Sequence, residues 1–120
     1  MTNVIKVSHA FKRDVKPLAK KHRSLKTSVD NLIAELTQNA FLGDHYGNDI
    51  YKVRLADKSK GTGKSGGFRV LYYHLKKTED GIEVLLIAIY DKSERSTIKK
   101  NDAVKKLKEI LAEHDREQNV

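Results

Sequence analysis

The chain has 120 residues, a formal net charge of +8, and neither cysteine nor tryptophan. Its length fits a single domain, residues 1–120, with one modest aliphatic core, and the absence of cysteine excludes disulfides and thiolate metal sites. The surplus of positive charge, with a pI near 9.6, favours a polyanionic partner. No apolar run approaches the length of a bilayer span and "MTNVIKVSHAF" lacks a signal-peptide core, so a cytoplasmic protein is expected.

Val4 to Val7 alternates as a short strand and stops at Ser8, a good N-cap. Phe11, Val15, Leu18 and Ala19 then recur at helical spacing. Pro17, the lone proline, removes an N–H and is expected to kink or shorten this helix. Leu25, Val29, Leu32, Ile33 and Leu36 form the apolar stripe of a second helix, with Ser24 as candidate N-cap. Gly43 and Gly47 read as a loop. "IYKVRL", Ile50 to Leu55, alternates so that Lys52 and Arg54 share one face and Tyr51, Val53 and Leu55 the other. Gly67 to Leu75 is a further strand, joined through "TEDG" to Ile82–Tyr90 in an antiparallel hairpin. "IEVLLIAIY" is apolar on both faces and reads as a central, buried strand. A last helix starts near Asn101 and buries Val104, Leu107, Ile110 and Leu111. The fold class is therefore α+β, order βααβββα, with two N-terminal helices on one face of a small, mainly antiparallel sheet and a C-terminal helix.

Between the two middle strands lies "KSKGTGKSGG", half of a phosphate-binding loop. A P-loop needs a glycine where Lys58 stands, and its last glycine must open a helix, whereas a strand follows here. Nucleotide binding is therefore not expected. The five histidines, His9, His22, His45, His74 and His114, show no metal-ligand spacing, so neither metal nor other cofactor is expected. His74, alone in a strand, reads as a packed residue. The lysines and arginines from Lys12 to Lys26 read as the solvated side of a helical hairpin. Lys52, Arg54, Lys58, Lys60, Lys64 and Arg69 differ, because folding gathers them at one end and edge of the sheet. Such charge repels itself unless an anion offsets it, and a phosphate backbone fits. RNA carries its own nucleophile, the 2′-OH. Arginine and lysine suffice to stabilise the negative charge added at phosphorus, with a tyrosine, lysine, glutamate or histidine to move protons.

Three segments, "FKRDVKPLAKKHRSLK", "GNDIYKVRLADKSKGTGKSGGFRVLYYHL" and "LLIAIYDKSERSTI", together resemble the RelE/ParE family of toxins from bacterial toxin–antitoxin modules. The resemblance is closest to HigB-like members. It implies a RelE-like fold and, for many members, a metal-independent mRNA interferase acting in the ribosomal A site. By position, Lys52 and Arg54 match the family's basic strand pair and Arg69 its phosphate-contacting arginine. Ser93 and Lys99 stand where ribosome-dependent members carry an arginine and a tyrosine. Tyr90, Lys92 and Glu94 lie nearby and complete the expected catalytic set, with Lys58, Lys60 and Lys64 as RNA contacts. The implied partners are a cognate antitoxin, plausibly with a helix-turn-helix DNA-binding domain, and the ribosome with its mRNA. The alternatives are a ParE-like gyrase poison that cuts nothing and a cationic RNA-binding module.

Overall fold

The computed structural model describes residues 2–60, 67–95 and 97–118; Lys64 lies outside them. The elements run β1 (Val4–Val7), α1 (His9–Lys21), α2 (Leu25–Gln38), β2 (Asp44–Gly47), β3 (Ile50–Leu55), a 3₁₀ turn (Lys58–Lys60), β4 (Phe68–Thr78), β5 (Gly81–Asp91) and α3 (Lys100–Gln118). They form one five-stranded sheet in the order β1-β5-β4-β3-β2. β1 pairs with β5 in parallel and every other pair is antiparallel. Among the described residues no helix is long and apolar enough to cross a membrane.

Ser8 caps α1 as its sequence position suggests. Its hydroxyl accepts from the Phe11 amide and donates to the Leu86 carbonyl, fixing the start of the helix to β5. Contrary to expectation, Pro17 does not cut α1 short, and the helix runs on to Lys21. Only the bond to the Arg13 carbonyl is forgone, and both residues are exposed. α2 buries the expected stripe, Leu25, Val29, Leu32 and Leu36.

The expected loop at 43–47 in fact holds a fourth antiparallel strand, β2, so the order βααβββα gains one element. Gly47 pairs with Ile50 across a two-residue turn, Asn48-Asp49, whose φ values are 55° and 61°. That is a type I′ hairpin turn, which needs residues tolerant of the left-handed region. Gly43, at φ 85°, carries the chain in against β3, where an added Cβ would lie 2.2 Å from the Lys52 carbonyl oxygen.

Phe11, Leu25, Val29, Leu32 and Leu36 pack α1 and α2 against Val70, Tyr72, Val84 and Leu86. On the opposite face Ile98, Ala103, Leu107 and Ile110 pack the α3 region against Leu71, Leu85, Ile87 and Tyr90. β5 changes phase part-way along. Tyr72 pairs with Leu86 but Leu71 pairs with Ala88, so Ile87 is an extra residue, a bulge. Beyond it Arg69 stands opposite Tyr90 and Phe68 opposite Asp91. An unbroken register would have set Tyr90 against Phe68, on the wrong face.

Candidate active site

β3 presents Lys52 and Arg54, β4 Arg69, and β5 Tyr90. Arg54 pairs with Arg69, and Arg69 with Tyr90. The three therefore form a cross-strand row on the α3 face of the sheet, with successive Cα atoms about 5 Å apart. Lys52, opposite Leu71, begins the next row. Arg69 is buried, 3% exposed, and its Nη1 donates to the Phe68 carbonyl at 3.1 Å. Burial, and then the Arg54 guanidinium, push Arg69 below the ordinary arginine value, while Tyr90 acts in the opposite sense. Arginine nevertheless stays charged, so two like charges stand side by side on this face of the sheet. Tyr90 is buried too, and its Oη has no hydrogen-bond partner among the described residues. A buried hydroxyl in that state costs about 1–3 kcal/mol. A phosphate oxygen beside the phenol would supply the partner that the hydroxyl lacks among the described residues.

The other face of the same strands carries a second polar assembly. Asp91, directly after Tyr90, accepts from Lys60 Nζ at 2.7 Å and from the Ser93 amide and hydroxyl at 2.9 and 2.8 Å. His22 Nε2, at the end of α1, lies 3.8 Å from it. Burial alone would raise the Asp91 pKa; Lys60 and Ser93 outweigh it and hold the carboxyl below its ordinary value. Asp57 repeats the arrangement after β3. It accepts from Ser24, Ser28 and Ser59 hydroxyls and from the Ser59 amide, and these donors likewise outweigh burial and lower its pKa. The His22 ring joins the two, with Nδ1 2.8 Å from Ser59 Oγ. Both carboxylates stand in the same tripeptide, Asp-Lys-Ser, folded as an Asx turn at the end of a strand.

The family model described as the RelE toxin of the RelE/RelB toxin–antitoxin system matches residues 7–119. The chain belongs to the RelE toxin family. Its fold is also similar to a solved structure of E. coli toxin RelE, a double arginine-to-alanine mutant in the free state. The TM-score is 0.51 and the identity 15%, over 94% of this chain and 98% of that one. No curated protein sequence matches it. As a RelE-family toxin it has an antitoxin as its implied partner.

Within this toxin the structure gathers Arg54, Arg69 and Tyr90 in one row with Lys52 beside it. Lys92 is exposed just past the end of β5. Glu94 is not brought to the row, because it pairs with Lys21 on the last turn of α1 at 3.3 Å. Lys58 is exposed, as an RNA contact should be. Lys60 is not available in that way, its ammonium being engaged by Asp91 and Ser93. Ser24 precedes α2 but does not cap it, since its hydroxyl serves Asp57. The sequence reading missed Asp57 and Asp91 altogether. Their signal was available in "ADKSKG" and "YDKSER", an aspartate two residues before a serine at the end of a strand. Among the described residues no group of three or more histidines and carboxylates could hold a metal.

Proposed function

We propose that this toxin is a metal-independent mRNA interferase of the HigB-like kind, acting on transcripts held by the ribosome in the cytoplasm. The observation that carries the reading is the row Arg54–Arg69–Tyr90, two cations and a phenol without a partner among the described residues, on a single sheet face. In the reaction the 2′-hydroxyl gives up its proton, its oxygen bonds to the adjacent phosphorus, the bond from phosphorus to the 5′-oxygen breaks, and that oxygen takes a proton. The products are a 2′,3′-cyclic phosphate and a 5′-hydroxyl end. Arg54 and Arg69 stabilise the charge added at phosphorus, Lys52 and Lys92 raise the local positive potential, and the Tyr90 hydroxyl exchanges a proton with the reacting oxygens. The ribosome supplies the extended, aligned substrate.

The antitoxin of such a protein masks the cationic face with an acidic segment, and we propose a helix-turn-helix DNA-binding domain for its remainder. The test is a reconstituted translation reaction with transcript ends mapped. Wild type should generate new 5′ ends within codons, and Arg69→Ala should lose about 10²–10³-fold in rate, the usual cost of one aimed donor. Arg69→Lys should recover little, because a point charge does not replace a fork of donors. Intact transcripts together with inhibited supercoiling in a parallel gyrase assay would replace this reading with the non-enzymatic one.

A further inference from the structure

Two lysines distant in sequence converge on one ring that the row does not use. Lys52 Nζ of β3 lies 5.0 Å from the centroid of Tyr46 in β2, and Lys100 Nζ, at the start of α3, lies 5.6 Å from it. Tyr46 Oη accepts from Lys52 Nζ at 3.4 Å and donates to the Ile98 carbonyl at 3.1 Å. The ring is thereby fixed between the β2–β3 hairpin and the approach to α3. Neither ammonium has a carboxylate within ion-pair distance among the described residues, whereas Lys6, Lys21, Lys60, Lys77 and Lys106 each have one. Asp44, the cross-strand neighbour of Lys52, forms no such pair among the described residues. Three separate elements thus bring two unneutralised cations to one place, and tertiary structure holds them there against their repulsion.

The position gives this pair its meaning. Lys52 is two residues from Arg54 on the same strand face, roughly 6.5 Å along β3, and a single-stranded polynucleotide repeats its phosphate charge at a comparable short step. We infer that Lys52, Lys100 and Tyr46 form a second phosphate subsite, which holds the phosphate neighbouring the scissile one. The inference rests on the ribonuclease reading and adds to it a requirement for a substrate charged on both sides of a nucleoside. A lone phosphodiester fills the arginine row only. A longer strand spans both stations and is thereby kept in line.

The experiment uses ribosomes programmed with mRNA carrying a neutral methylphosphonate at the phosphate on one or the other side of the cleaved bond. Lys100 is exposed, so Lys100→Gln should fold as wild type does. With native RNA this variant should lose about tenfold in kcat/KM, in the range of one hydrogen bond to a charged group, and Lys100→Arg should restore it. Wild type should lose a similar factor on one of the two neutral linkages. Lys100→Gln on that same RNA should lose nothing more, since the charge and its partner are one interaction. Losses that multiply, or none at either linkage, would overturn the subsite and leave the nuclease standing. A wild-type protein that cuts no transcript at all would overturn the nuclease reading and the subsite with it.

Discussion

Replacing Lys60 by methionine tests whether the base of the cationic loop is held by a buried ion pair. The Asp91 side chain is 2% exposed and that of Lys60 14%, with 2.7 Å between Oδ2 and Nζ. Removing one member of such a pair strands the other, at about 3–5 kcal/mol. Ser93 still serves Oδ1 of Asp91 through two bonds, so we expect the low end, about 3 kcal/mol, in urea unfolding. For a chain of this size that corresponds to a fall in Tm of roughly 12 °C. The effect should carry a pH signature. Because the folded-state pKa of Asp91 is lowered, its contribution is present above the ordinary carboxyl value of 3.8 and is lost as pH falls through the folded value. The gap between wild type and Lys60→Met should therefore narrow in acid. A variant within 0.5 kcal/mol of wild type that binds RNA more weakly would refute the ion-pair account and return Lys60 to the RNA-contacting surface.

His74 is buried on β4 with Nε2 2.6 Å from the Ala40 carbonyl, Nδ1 without a partner among the described residues, and the Tyr51 and Phe41 rings against it. Burial, outweighing Ala40 and Asp49 and assisted by Lys77 and His45, lowers its pKa from 6.5. Stability should therefore decline as pH falls below 6.5, where the unfolded chain binds the extra proton, and a His74→Gln variant that keeps the same slope in unfolding free energy would dissociate that slope from His74. Lys58→Gln should weaken RNA binding at low salt and reduce the slope of log affinity against log salt by about 0.7, the single-strand value per phosphate contact; an unchanged slope would remove Lys58 from the interface. Glu94→Gln breaks only an exposed pair with Lys21, so mRNA cleavage should stay within about twofold and stability within about 0.5 kcal/mol. A hundredfold loss in cleavage would instead restore Glu94 to the proton-transfer machinery.

The layout of the cationic face was legible in outline. Alternation in "IYKVRL" assigned Lys52 and Arg54 to one side of β3, and they share it with Arg69. Alternation was of no use in "VLLIAIY", which is apolar on both faces, so nothing in the string marks where the phase changes at Ile87. β2 escaped notice for another reason. "DHYG" is short and mostly polar, and its evidence lay in the turn dipeptide Asn48-Asp49 rather than in a periodic pattern. Lys60 was expected to contact RNA, and its bond to Asp91 went unseen because that partner is thirty-one positions away, a separation that composition cannot bridge. Tyr46 and Lys100 drew no attention for the same reason, each being ordinary until the hairpin and α3 meet.

The bulge at Ile87 makes β5 a commutator between two circuits. Tyr90 and Asp91 are adjacent in the chain, yet one belongs with the arginines and the other with Lys60 and His22. Drawing Ile87 into the ladder as an ordinary paired residue would exchange them, sending a carboxylate to the guanidinium face and a phenol to face the lysine. Residue correspondences drawn between this toxin and a relative hold across β5 only if both carry the extra residue. Counted along the chain, a tyrosine and an aspartate trade identities without any change in spelling. Counted along the ladder, each keeps its partner.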